Sequence, residues 1–178
     1  MQRRRFLFAL SGISLVLATR SFAGTLSGND KVTIMRFSDD GKALGRASLD
    51  KVRKDAEWKQ RLSPLAYHVT REQGTERAFS QPGYDRHEPG LYRCVCCDNA
   101  LFDAKTKYDS KTGWPSFWQP IAAENVHNIE DRMLGMVRTE VQCALCDAHL
   151  GHVFDDGPKP TGLRYCMNTV ALRFIPYK

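Results

Sequence analysis

Four of the six cysteines in this chain fall into two Cys-x-x-Cys pairs, Cys94 with Cys97 and Cys143 with Cys146. Two thiolates at that spacing grip one metal ion from a tight turn, and two such turns complete a tetrahedral four-sulfur zinc site. The pairs are separated by 45 residues, 98–142, more than the local spacing of a zinc ribbon, so the ion would staple two distant hairpins. Each pair is followed by an aspartate, Asp98 or Asp147, as a knuckle turn requires. The alternative is two structural or redox disulfides, which are common in exported proteins. Cysteines within a Cys-x-x-Cys bridge each other chiefly in redox motifs on a thioredoxin-like βαβ unit, and the sequence around these pairs does not read as one. Structural zinc contributes on the order of 10–16 kcal/mol of binding energy, so loss of one ligand is expected to unfold the domain.

Cys96 and Cys166 remain. Cys166 lies in Arg164-Tyr165-Cys166-Met167-Asn168, which reads as the start of a strand running to Phe174. With a side-chain period of two, Arg164, Cys166 and Asn168 share a face, followed by Val170, Leu172 and Phe174 running into a core. A thiol with an ordinary pKa is only a few per cent thiolate at neutral pH, and a neighbouring cation raises that fraction. His149 and His152 stand upstream in His149-Leu150-Gly151-His152 and can supply a charge and a proton. A lone cysteine is otherwise a small buried hydrophobe. Cys96, between two candidate ligands, reads as a structural or adventitious thiol.

The elements that must hold these groups are mostly strands. Val32 to Phe37 reads as a short strand closed by the Ser38-Asp39-Asp40-Gly41 turn. Leu49, Val52 and Ala56 fit a helix capped by Ser48, and Ser63-Pro64 starts a second. After Gly90, apolar segments at Leu91 to Arg93, Met136 to Gln142 and Arg164 to Ile175 alternate with Gly, Pro, Asp and Asn clusters, the pattern of antiparallel β structure with long loops.

The chain has 178 residues, 42% apolar and 26% charged, with a formal charge of +6. Arg3, Arg4, Arg5 and Arg20 lie in the first 23 residues, which hold no acid; without those four, 22 basic residues face 20 acidic ones. A charge near +2 is no footprint for nucleic-acid binding. Residues 1–23 read as a cleaved export signal, with a basic start, an apolar run from Phe6 through Ala18 and Ser21-Phe22-Ala23 before the cut, the alternatives being a short uncleaved anchor or a basic amphipathic mitochondrial presequence. Gln2-Arg3-Arg4-Arg5-Phe6-Leu7 resembles a twin-arginine signal, which implies folded export to the periplasm by that machinery. The remainder divides into a 24–47 lead and a 48–178 domain.

Gly74-Thr75-Glu76-Arg77-Ala78-Phe79, Gly90 to Cys97, Gly113-Trp114-Pro115-Ser116-Phe117, the run from His149 to Pro158, and Leu163 to Asn168 together resemble the B-type methionine sulfoxide reductases, over about Ser48 to Tyr177. The resemblance implies a mainly β fold of two antiparallel sheets, tent-like, with a few short N-terminal helices and a four-cysteine zinc staple. It implies reduction of the R epimer of methionine sulfoxide, peptide-bound or free, and with the export signal this reads as repair of oxidised periplasmic proteins. Cys166 would be the nucleophile and become a sulfenic acid, with His152 and His149 donating or organising a proton. Asn168 and Arg164 would order the thiolate, and Trp114 with Phe154 would bind the substrate, although both aromatics also read as ordinary core.

One departure matters. Many relatives carry a resolving cysteine where this chain has Thr112. Threonine forms no disulfide, so a thioredoxin-like protein or small thiol must reduce the sulfenic acid, unless Cys96 does. A monomer is expected. The rival readings are a zinc-stapled β domain that binds a partner or oxidised peptides without turnover, and a thiol oxidoreductase using metal-free Cys-x-x-Cys pairs.

Overall fold

The computed structural model describes residues 30–131 and 138–178, so the expected export signal and most of the lead before β1 lie outside the described residues. The first element is the expected strand, β1 (Lys31–Phe37), turning at Ser38 to Gly41 into β2 (Ala43–Asp50). Ser48 and Leu49 pair across this hairpin with Thr33 and Val32. They do not open a helix, contrary to the expectation from their spacing. The hydrogen bonds that decide the matter come from a partner strand fifteen or more residues upstream, and helical spacing in a short window does not reveal them.

The first helix, α1 (Asp55–Arg61), therefore begins later. The second, α2 (Pro64–Arg71), begins where the sequence places it: Pro64 presets the first turn and the Ser63 side chain accepts from the Ala66 N–H at 3.2 Å. Its buried face carries Ala66, Val69 and Thr70.

The rest is antiparallel. Six strands pair in the order β5 (Lys107–Tyr108), β6 (Ser116–Phe117), β10 (Arg164–Met167), β9 (His149–Phe154), β8 (Arg138–Cys143), β7 (Val126–Asp131). Three more pair as β11 (Leu172–Pro176), β3 (Gly90–Cys94), β4 (Ala100–Asp103). These two sheets are the expected pair, and the β1–β2 hairpin is an addition to them. Phe102 of β4 stacks on Phe117 of β6 at 4.4 Å, and Tyr92 of β3 meets Phe117 edge-on at 5.0 Å. The aromatic core thus lies between the sheets, and truncating a ring as buried as Phe102 costs about 3–5 kcal/mol.

The expected single strand from Arg164 to Phe174 is broken. Its first half, β10, joins the six-stranded sheet, a 3-10 turn follows at Thr169–Ala171, and β11 joins the other sheet. Val170, Leu172 and Phe174 accordingly do not extend the Cys166 face. The turn is held by Glu76, a buried carboxylate that accepts the N–H groups of Thr169 at 2.7 Å and Val170 at 2.9 Å. That acceptor lies more than ninety residues away in sequence, so the alternation of apolar residues gives no sign of it.

Candidate active site and metal centre

Cys166 sits in the middle of β10 with a strand on each side. Its register partner on β9 is His152 and on β6 is Ser116. Cys166, His152, Trp114, Asn168, Phe154 and Thr75 are among the residues lining one cavity of about 160 Å³. Two larger depressions elsewhere on the surface hold none of these residues.

Burial pushes the Cys166 thiol above its ordinary value, while Arg164, Thr112 and Ser116 pull the other way. Arg164 is itself fixed: its Nε and one terminal nitrogen each donate to the Asp156 carboxylate at 2.8 Å, and its guanidinium lies 4.4 Å over the Phe154 ring. A bidentate, stacked guanidinium is a rigid positive charge beside the sulfur. The Thr112 hydroxyl stands 4.0 Å from Sγ and belongs to a chain of hydroxyls, Thr112 to Ser110 at 2.8 Å and Ser110 to Ser116 at 2.7 Å.

His152 is pushed down by burial, against a 3.2 Å bond from its Nε2 to Asp131, which also accepts from Arg138 at 2.8 Å. The imidazole is thus neutral at neutral pH and able to take a proton. His149 does not line the Cys166 cavity. It is buried, its Nδ1 lies 2.6 Å from Glu140, and its ring meets His152 edge-on at 5.4 Å.

Asn168 is 3% exposed and serves the backbone, donating to the Leu150 carbonyl and accepting the Glu76 N–H at 3.0 Å. Trp114 is held by its indole N–H, which donates to the Glu76 carbonyl at 3.2 Å. Glu76 therefore fixes the wall, the amide and the turn beyond the thiol. Its place in the Gly74 to Phe79 motif was a signal that it mattered, although not of how. Asp131 and Glu140 carry no motif, and only the pairing of β7, β8 and β9 brings them to the histidines.

The four paired cysteines converge as their spacing requires. All four sulfurs lie within 4.8 Å of one another, with Cys94 and Cys146 3.7 Å apart and Cys97 and Cys143 3.5 Å apart. A tetrahedral site with metal–sulfur bonds of about 2.3 Å sets its sulfurs about 3.8 Å apart, so the donor set fits a single ion. The two turns are copies: Asp98 N–H bonds the Cys94 carbonyl and Asp147 N–H the Cys143 carbonyl, and both aspartates take positive φ, 67° and 55°. Hydrogen bonds to Cys143 hold the Cys94, Cys97 and Cys146 thiols up, while Cys143 is held down despite its burial. Four buried sulfurs facing one another are what a divalent cation would hold by displacing their protons. Cys96 lies beside the cluster, where bonds with Cys146 and Cys94 pull its thiol down to about 3; its sulfur is also 3.5 Å from the Thr70 hydroxyl of α2, and it has no contact in common with Cys166 among those described.

The hairpin closes over this centre. Asn125, fully buried, bonds the N–H and carbonyl of Met35 at 2.8 Å each, while its own carbonyl accepts from Ala144 inside the second turn. Past the hairpin, Val52 N–H bonds the Leu145 carbonyl and Lys51 pairs with Asp147.

Comparison with known proteins agrees with this geometry. The SelR domain family matches residues 62–176. The peptide methionine sulfoxide reductase MsrB of Thioalkalivibrio sulfidiphilus (strain HL-EbGR7) is 56% identical over 120 residues, covering 67% of this chain and 88% of the relative. That of Hahella chejuensis (strain KCTC 2396) is 56% identical over 127 residues, 71% of this chain and 91% of the relative. The chloroplastic peptide methionine sulfoxide reductase B1 of Arabidopsis thaliana is 56% identical over 117 residues, 66% of this chain and 58% of the relative.

Proposed function

This chain belongs to the B-type methionine sulfoxide reductases, and from that premise we propose that it reduces the R epimer of methionine sulfoxide in proteins through a sulfenic acid at Cys166. The observation that carries the reading is the single small cavity on which the Cys166 thiol, the His152 imidazole and the Trp114 indole meet.

Cys166 arrives protonated because it is buried, and His152 arrives neutral for the same reason. The thiol proton passes to His152, Sγ attacks the sulfoxide sulfur, and the sulfoxide oxygen takes the proton as its bond to sulfur breaks. The balance is Cys-SH plus sulfoxide to Cys-SOH plus methionine, the cysteine sulfur losing the two electrons that the substrate sulfur gains. Arg164 steadies the thiolate while it exists. Trp114 takes the substrate methyl group, with hydrogen-bond donors on the opposite side for the oxygen. Exchange of those two substituents, as in the other epimer, would set the oxygen against indole.

Thr112 stands where a resolving cysteine would serve, so two equivalents of external thiol return Cys-SOH to Cys-SH and release water. A thioredoxin-like protein or a small thiol meets that need. Cys94, Cys97, Cys143 and Cys146 would hold one structural zinc ion, which supplies a cross-link between two turns. With four sulfur ligands it keeps no open position for substrate. The arginine-rich leader supports export to the periplasm by the twin-arginine route, where repair of oxidised proteins would take place.

The test is a single turnover of residues 24–178 with each separate epimer and no reductant. One methionine per protein from the R epimer alone, with one thiol lost and dimedone trapped on Cys166, is the expected result. No methionine from either epimer in folded, metal-loaded protein would overturn the reading.

A further inference from the structure

Beside the Cys166 cavity lies a second one of about 320 Å³, and the two share Thr75, Arg138 and His152 as a common wall. The charged and titratable groups lining the second cavity are Glu130 and Asp131 from β7, Arg138 and Glu140 from β8, and His149 and His152 from β9. The adjacent loop contributes only the uncharged Gln73 and Thr75. Within this group the pair of Glu140 and His149 is the most buried, at 7% and 3% exposed.

A carboxylate accepts and does not donate, so the 2.6 Å contact requires the hydrogen on His149 Nδ1. Nε2 is then left as a buried acceptor, and no protein group among the described residues bonds it. An orphaned acceptor in a buried position costs about 1–3 kcal/mol, and the residue that carries it lines the second cavity.

We propose that Glu140 is a positioning residue which, through His149, makes the second cavity the entry for a solvent proton consumed in sulfoxide reduction. This rests on the reductase reading above. Whenever Cys166 reacts as the thiolate, the balance becomes Cys-S⁻ plus sulfoxide plus one proton to Cys-SOH plus methionine, and that proton comes from outside the reacting pair. His149 takes it up at Nε2, with the Glu140 carboxylate stabilising the imidazolium across Nδ1, as a buried carboxylate does for histidine elsewhere. His152, edge-on to His149 and shared by both cavities, passes it to the sulfoxide oxygen.

A positive charge in this cavity loses its closest buried counter-charge when the Glu140 carboxylate is removed, so proton uptake requires a lower pH. For Glu140→Gln we expect kcat to fall about tenfold above pH 9, where Cys166 reacts as the thiolate, and less at pH 7, where the thiol brings its own proton, because the alkaline limb moves down by about one pH unit, with KM within twofold and metal content unchanged. Glu140→Asp, which restores the charge, is expected to return the limb toward its original position. A uniform fall in rate with an unmoved limb, or an unchanged rate, would overturn the proposal. So would a limb in Glu140→Asp that stays with that of Glu140→Gln. Wild-type protein run in parallel separates the two readings: if it forms no methionine the reductase reading fails, whereas normal wild-type turnover with an unmoved variant limb rejects Glu140 alone.

Discussion

Cys166 and His152 are register partners on adjacent antiparallel strands, so the thiol and the imidazole face one cavity because β10 and β9 pair as they do. A slip of one residue would turn one of the two away. Gly151, the neighbour of His152, protects the pairing: a Cβ there would stand 2.1 Å from the Cys166 carbonyl. Gly151→Ala is therefore expected to abolish activity by separating the strands, with a loss of stability seen as a lower Tm.

Cys166→Ser should stop methionine formation and leave metal content and Tm unchanged, since Sγ belongs to the cavity and not to the cysteine cluster. Cys146→Ser should lose metal and fold together. Metal analysis beside a single-turnover assay checks both, and equal metal loss in the two variants would contradict the division.

Arg164 favours the thiolate that burial disfavours. In Arg164→Ala the thiol is pushed further up, so the pH of half-maximal iodoacetamide reaction at Cys166 rises and the rate at pH 7.5 falls severalfold. Asp156→Asn, which loosens the guanidinium without removing it, should move the same curve less.

Thr112→Cys would bring a second sulfur to the place where a hydroxyl now stands 4.0 Å from Sγ. One turnover should then consume two thiols instead of one and leave no trappable sulfenic acid, as counted with a thiol reagent and dimedone.

Glu76→Ala leaves the Thr169 and Val170 N–H groups without their acceptor. The expected cost is about 3 kcal/mol, with activity reduced beyond the loss of folded protein because Asn168 and the turn after Cys166 shift together. Urea unfolding and the rate per folded molecule distinguish the two effects.

The cysteine pairs, the Ser63-Pro64 helix start and the nucleophile strand were all legible, because each is a local signal: a spacing, a cap, an alternation. The break after Met167 was not, since the acceptor that holds it, Glu76, comes from a distant loop. Ser48 and Leu49 mislead for the same reason, their partners being on β1. Asp131 and Glu140 become visible only once β7, β8 and β9 are side by side. The resemblance named the groups expected to touch substrate, while the carboxylates bonded to His149 and His152 emerged from pairing alone.

A last consequence follows from the recess that holds Cys166. Oxidants attack thiolates far faster than thiols, and burial keeps this sulfur protonated until it reacts. Met167, the next residue, is fully buried although it too lines the cavity. Hydrogen peroxide, which oxidises exposed thiolates readily, is therefore expected to react slowly with Cys166 while the cavity holds no substrate.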